Sequence, residues 1–198
     1  KHDEWIAHIK TLGGERKYVE PAKGTVNPRV FIDRLAKKMP ANVTVVADVG
    51  QNQIWTCTEY KFRKEGRLLT SGGMGTMGYS VPAAIGAKMA DPDRPTVAIC
   101  GDGAFQMSFM ELATAVQFGV DIKVVVMTNN RLGMVRELQT NGYHDRQTAV
   151  FLDGSPDFIK LAEAYGIPAM RVCDDDTMEK GIEMLAEHKG ICLVEVVV

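Results

Sequence analysis

An aspartate set between two glycines directly after an apolar run, Gly101-Asp102-Gly103 in "VAICGDGAF" (97–105), has the makings of a ligand site. The glycines let backbone N–H groups approach an anion closely, and a helix N-terminus behind them favours negative charge. Twenty-seven residues after Asp102, a second apolar run ends in "TNNRLGMV" (128–135), which contributes the amide oxygen of Asn129. A carboxylate and an amide at the ends of consecutive strands are hard oxygen ligands. They suit Mg2+ beside a phosphate, with the octahedron completed by phosphate oxygens, water and a backbone carbonyl. Two more strand ends, "DVGQNQIW" (48–55) and "SGGMGTMG" (71–78), are likewise rich in glycine and small polar residues.

The second of these contains Gly73-Met74-Gly75-Thr76-Met77-Gly78, which matches the GxGxxG spacing of dinucleotide sites, with Asp102 some twenty residues downstream. That reading leaves the GQNQIW and TNNRLGMV stretches without a task. A shared metal-bridged phosphate site uses all four.

The elements that must position these residues are legible as an alternation of short apolar runs and amphipathic helices. Strands are expected at 43–49, 67–71, 96–100, 122–128, 169–173 and 191–198. Helices are expected at 27–40, where Asn27 caps and Pro28 occupies the first position, and at 81–90, 109–119, 157–166 and 178–190. Unbroken Val/Ile-rich strands separated by helices predict an α/β fold of three layers, a mainly parallel sheet with helices on both faces. In such sheets ligands bind beyond the carboxyl ends of the strands, which is where the glycine-rich stretches fall. Residues 139–155 read as a long loop that could serve as a lid.

Composition sets outer bounds. The 198 residues are 45% hydrophobic and 24% charged, enough for one domain with a substantial core. A formal net charge of −2 gives no electrostatic case for nucleic acid, and no apolar run approaches the roughly 20 residues of a membrane span. Four scattered cysteines without a CxxC pair read as free thiols in a reducing, cytoplasmic setting, Cys100 and Cys192 buried in strands. None of the four histidines has metal-ligand spacing. The chain opens on "KHDEWIAHIK" without an initiator methionine, and "TLGGERKYVEPAKGT" (11–25) reads as a linker. Residues 1–26 are therefore expected to be a linker and the end of a preceding domain, with the binding domain at 27–198.

The combination of GDG, helix, strand and asparagine resembles the thiamine-diphosphate fingerprint. "LTSGGMGTMGYSVPAAIGA" and "DVGQNQIW" narrow the resemblance to the C-terminal, diphosphate-binding domain of the acetolactate (acetohydroxyacid) synthase large subunit, over residues 27–198. The resemblance implies a Mg2+ held by Asp102, Asn129 and the Arg131 carbonyl. The family pattern, aligned on Gly133-Met134, falls one residue out of step with the visible Asn129-Asn130 pair, so Asn130 is a second candidate ligand. It implies Val49, Gly50, Gln51, Asn52, Gly101, Gly103 and Ala104 around the diphosphate, and Gly75 and Met77 against the aminopyrimidine. Met134 would line the cleft, and the other nine methionines read as core filler.

The chemistry so implied is decarboxylation of pyruvate and condensation with a second 2-oxo acid, in an oligomer whose site is completed by a partner subunit. The activating glutamate belongs to that subunit's N-terminal domain, so no catalytic residue is assigned here and the chain by itself is expected to be inactive. Glu111 is read as a solvated or capping carboxylate. FAD, where used, belongs to a middle domain outside this chain, and a small regulatory subunit is a possible further partner. Leu138 departs from the family, which carries tryptophan there; this implies a wider acceptor pocket, preference for pyruvate as acceptor and tolerance of sulfonylurea-type inhibitors. Two other readings stay open: a different thiamine-diphosphate decarboxylase, carboligase or oxidase, and a non-catalytic phosphate-binding α/β module.

Overall fold

The computed structural model describes residues 2–12, 18–63 and 65–198. Part of the 11–25 linker, residues 13–17, lies outside these. Six strands form one sheet: β1 (Thr44–Ala47), β2 (Arg67–Thr70), β3 (Thr96–Gly101), β4 (Lys123–Thr128), β5 (Ala169–Val172) and β6 (Cys192–Val197). They lie in the order β2-β1-β3-β4-β6-β5, and every pairing is parallel. Parallel neighbours need long crossovers, so helices separate the strands in sequence. The chain leaves β1 for β2 on one side and returns to β3 on the other, which creates a crevice at the carboxyl ends of β1 and β3.

Two buried clusters cover the two faces, and strand alternation decides which side chain joins which. Val45, Val97, Ile99, Val125 and Val194 pack with Phe31, Ile32 and Leu35 of α2 (Pro28–Lys38) and Met178, Ile182 and Leu185 of α9 (Asp175–Glu187). Their neighbours Val46, Ala98, Cys100, Val124 and Leu193 point the other way. These meet Val81 and Ile85 of α4 (Ser80–Ala90), Phe105 of α5 (Asp102–Gln106), Leu112 of α6 (Leu112–Gln117) and Phe158 of α8 (Phe158–Ala164). Both faces of the four inner strands are thus dry, which explains why these read as largely apolar runs, while the edge strands β2 and β5 stay partly exposed.

The sequence misplaces some boundaries. Helix α9 starts at Asp175, ahead of the expected 178, because Asp174 and Thr177 form a reciprocal capping box. The single helix expected at 109–119 is a 3-10 turn at Phe109–Glu111 followed by α6, with Gly119 at φ +60 ending it. Three helices open at strand ends where none is expected from the sequence: α3 (Gln51–Glu59), α5 and α7 (Gly133–Gly142). Consequently residues 139–142 are helical rather than loop. α1 (Asp3–Leu12) buries nothing, and Trp5 is 64% exposed. The stretch after the undescribed residues is anchored: Val26 is buried and its N–H donates to the Val197 carbonyl at 2.8 Å.

The four cysteines are free, with Cys100 and Cys192 buried and Cys57 exposed. Burial raises the Cys100 thiol well above its usual pKa, reinforced by the charge of Asp48, and pushes Cys192 up to about 11. Neither thiol is a nucleophile at neutral pH. Methionines diverge from the filler reading. Met39, Met127 and Met178 are buried, whereas Met74 (90%), Met89, Met107 and Met110 are more than half exposed.

Helix α9 approaches the sheet at Gly181 more closely than any side chain allows. A Cβ there would lie 2.6 Å from Val172 Cγ2 and 3.2 Å from Val194 Cγ1. Gly181→Ala is expected to destabilise the domain by about 1–3 kcal/mol through overpacking, partly offset by alanine's better helix propensity. Urea denaturation checks this, and Val172→Ala in the same background should recover part of the loss.

Candidate functional site

The carboxyl ends of β1, β3 and β4 open into one cleft. Its walls include Val49, Gly50, Gln51 and Asn52 after β1, Gly101 to Ala104 at β3, and Asn129, Arg131, Leu132, Gly133 and Met134 after β4. Met77 reaches in from the β2–α4 loop.

At the centre, Asp102 is 2% exposed and begins α5. Its Oδ1 accepts from the Gly103 N–H at 2.8 Å, and its Oδ2 accepts from the N–H groups of Asn129 (3.1 Å) and Asn130 (2.6 Å). Burial lifts the carboxyl pKa above its ordinary value; the surrounding N–H groups of Gly103, Asn130, Asn129 and Arg131 work against that but do not overcome it. A buried carboxylate left short of positive charge is a receptive place for a cation. The loop that closes on it is an Asx turn, in which Asn129 Oδ1 accepts from the Arg131 N–H at 3.0 Å. Asn130 takes φ 55, and its side chain does not line the cleft. Its contribution to the site is its N–H.

The donors fit a hard divalent cation. Asp102 carboxylate, Asn129 amide and Arg131 carbonyl are all oxygens, and no group of three or more His, Cys, Asp or Glu is suited to a metal among the described residues. One carboxylate cannot complete an octahedron, so such an ion needs ligand oxygens, which a phosphate provides. The room for that ligand is built from missing side chains. A Cβ on Gly103 would fall 2.7 Å from Leu132 Cδ2 and 3.4 Å from Met77 Cε, and one on Gly50 (φ +138) would fall 2.8 Å from Asn52 Oδ1. Any larger residue at 103 fills the cradle.

Asn52 is buried and holds the crevice together. Its Nδ2 donates to the carbonyls of Asp48 (2.9 Å) and Ile99 (3.2 Å), joining the ends of β1 and β3. Two expected residues lie elsewhere. Gly75 stands at φ +64 in the exposed 71–79 loop, outside the cleft. Leu138 is 61% exposed on α7 and lines a separate shallow hollow with Tyr143, Arg146 and Thr148; Val135 borders both spaces. Glu111 accepts from Thr114 Oγ1 at 2.9 Å, a local helix contact.

Sequence reading missed Trp55, which lines the cleft, and above all Asp48, which organises it. Asp48 is fully buried at the end of β1. Its Oδ1 accepts from the N–H groups of Val49 (2.9 Å) and Gly78 (3.0 Å), and its Oδ2 from that of Ser80 (2.8 Å). The signal was present: an acidic residue directly after the buried Val45-Val46-Ala47 run has nowhere to go but a buried network. This carboxylate occupies the N-terminus of α4, and GGMGTMG follows β2, the edge strand. The helix end that a dinucleotide pyrophosphate would need is already taken, which removes the GxGxxG reading. Asp48→Ala strands three backbone donors, of which the buried Ser80 N–H costs about 1–3 kcal/mol when left unsatisfied, and the part-buried Val49 and Gly78 N–H groups cost less. Chemical denaturation should show a loss of at least about 1 kcal/mol, with Asp48→Asn losing less.

With this geometry in place, comparison with known proteins is informative. Residues 48–196 match the family described as thiamine pyrophosphate enzyme, C-terminal TPP binding domain. The acetolactate synthase large subunit of Lactococcus lactis is 38% identical over 99% of the chain, and isozyme 2 large subunit of Escherichia coli is 34% identical over 98%. The mitochondrial catalytic subunit of acetolactate synthase from Saccharomyces cerevisiae is 36% identical over 99%. The chain spans 34%, 35% and 29% of these relatives, respectively. Both the fold and the extent of the match lead to one conclusion: the chain belongs to the thiamine pyrophosphate enzyme family, as its C-terminal TPP-binding domain.

Proposed function

We propose that this chain is the cofactor-holding domain, residues 27–198, of a cytoplasmic acetolactate synthase, with residues 1–26 a linker and the end of a preceding domain. The observation that carries the reading is the buried Asp102 carboxylate, which lines a glycine-floored cleft together with Asn129 and Arg131 and accepts from the backbone N–H of Asn129 at 3.1 Å. Asp102, Asn129 and the Arg131 carbonyl would hold Mg2+. Val49, Gly50, Gln51, Asn52, Gly101, Gly103 and Ala104 would surround the diphosphate, and Met77 and Met134 would supply apolar walls beside it, with Gly75 near the aminopyrimidine. When bound, thiamine diphosphate supplies the electron sink for decarboxylating pyruvate and joining the remainder to a second 2-oxo acid. The chain's own residues bind and orient it: oxygens neutralise the cation, backbone N–H groups hold Asp102 in place, and the apolar walls keep water from the cofactor's reacting end.

No residue of this chain is assigned the activating role. We place that glutamate in the N-terminal domain of a partner subunit within a homo-oligomer. FAD and a small regulatory subunit, where used, belong with the longer protein.

Thermal denaturation tests the reading. Thiamine diphosphate should raise the melting temperature only when Mg2+ is present, NAD should not, and Asp102→Ala should abolish the effect. Pyruvate should give no acetolactate with the 198-residue chain; product formation would refute the assignment of the activating group. In the full-length enzyme, Leu138→Trp should shift products from pyruvate and 2-oxobutyrate mixtures toward the ethyl homologue. The expected size is severalfold, since one methylene is worth about 1–3 kcal/mol. An unchanged ratio would detach Leu138 from the acceptor pocket.

A further inference from the structure

One side-chain contact crosses the cleft without being needed by the fold. Gln51, the first residue of α3, sends its amide over the N-terminus of α7, where Nε2 donates to Glu137 Oε2 at 2.9 Å. The crossing depends on Gly133: a Cβ there would lie 2.0 Å from Gln51 Oε1 and 2.9 Å from its Cδ. Gln51 and Gly133 both line the cleft, one on the β1 side and the other on the β4 side. The amide therefore spans from one wall to the other. Glu137 is exposed, so its carboxylate is not held there by packing.

This places a carboxylate of the protein on a donor that faces an anion cleft. An incoming phosphate and Glu137 compete for the position of the same amide group, and they repel one another at short range. We propose that Glu137 is an internal competitor that latches Gln51 across the cleft, so that a diphosphate-bearing ligand binds only to the unlatched fraction. The inference rests on the cofactor reading above and adds a residue that reading does not contain. Its quantitative form is simple: the apparent Kd exceeds the intrinsic one by the reciprocal of the unlatched fraction. Glu137→Ala removes the competitor and leaves the donor free.

Trp55 lines the same cleft and is one of two tryptophans in the chain, so its fluorescence reports binding without any turnover. Titration and stopped-flow mixing with thiamine diphosphate plus Mg2+, and with inorganic pyrophosphate plus Mg2+, test the proposal on the wild type, Glu137→Ala, Gln51→Ala and the double variant. Glu137→Ala should tighten binding of both probes about fivefold and quicken association by a similar factor, as expected if the latched form dominates. Gln51→Ala should remove this gain, so that Glu137→Ala in that background changes Kd by less than about twofold. Glu137→Gln keeps an acceptor and should fall between wild type and Glu137→Ala.

Unchanged or weaker binding by Glu137→Ala overturns the proposal while leaving the cofactor site intact. An equal gain in the Gln51→Ala background also overturns it, since the effect would then be general repulsion. Failure of the wild type to bind either probe with Mg2+ overturns the cofactor reading, and the latch with it.

Discussion

Two buried carboxylates, at the ends of adjacent strands, are the constraint around which this molecule is arranged. Asp48 follows β1 and Asp102 follows β3, and neither has a cationic side chain to neutralise it in the contacts described. A charge in a low-dielectric interior is tolerated only when hydrogen bonds surround it. The backbone supplies them: the loops after β1 and β4 give the N–H groups of Val49, Asn129 and Asn130, Gly78 donates at a positive φ, and Ser80 and Gly103 donate from the first turns of α4 and α5. The two solutions differ. Asp48 gives its acceptors to the β2–α4 junction and closes a structural corner, whereas Asp102 sits beside open space with burial still holding its pKa up.

The same sheet geometry explains why the cleft is where it is. The reversal of strand order between β1 and β3 parts the loops that follow them, and Asn52 bridges the parting by binding carbonyls on both sides. Glycines then lower the floor. The cleft is a product of what is absent at Gly50, Gly101 and Gly103 as much as of what is present at Asp102 and Asn129.

The inner strands β1, β3, β4 and β6 were legible in the sequence because burial on both faces leaves a largely apolar run, whereas the edge strands β2 and β5 are partly exposed and carry Arg67 and Arg171. Helices α2, α8 and α9 were legible through caps and apolar spacing. Helices α3, α5 and α7 were not: they open at strand ends on Gln51, Asp102 and Gly133 without a side-chain N-cap, so docking at the strand ends stabilises them rather than a local start signal. The Asp102 and Asn129 placements could be read because their residue types announce ligand chemistry. Asp48 was overlooked because two of its three partners, the N–H groups of Gly78 and Ser80, lie thirty and more residues away, so its position after the strand shows that it is buried but not what it holds. The exposed position of Leu138 depends on the direction of α7, and no local pattern contains that direction.

The filling of the α4 N-terminus by Asp48 has a consequence for how ligands are oriented. A parallel sheet of this kind presents several helix ends along one rim, each attractive to an anion. With one of them stoppered from within, the part of the rim left open lies at β3 and β4, where a cation on Asp102 would be needed to draw an anion in. On the reading proposed above, a long molecule with a charged end and an apolar end would be given a direction as well as an address: its charge would meet the cation at Asp102's corner, and its remainder would run along Met77, Leu132 and Met134.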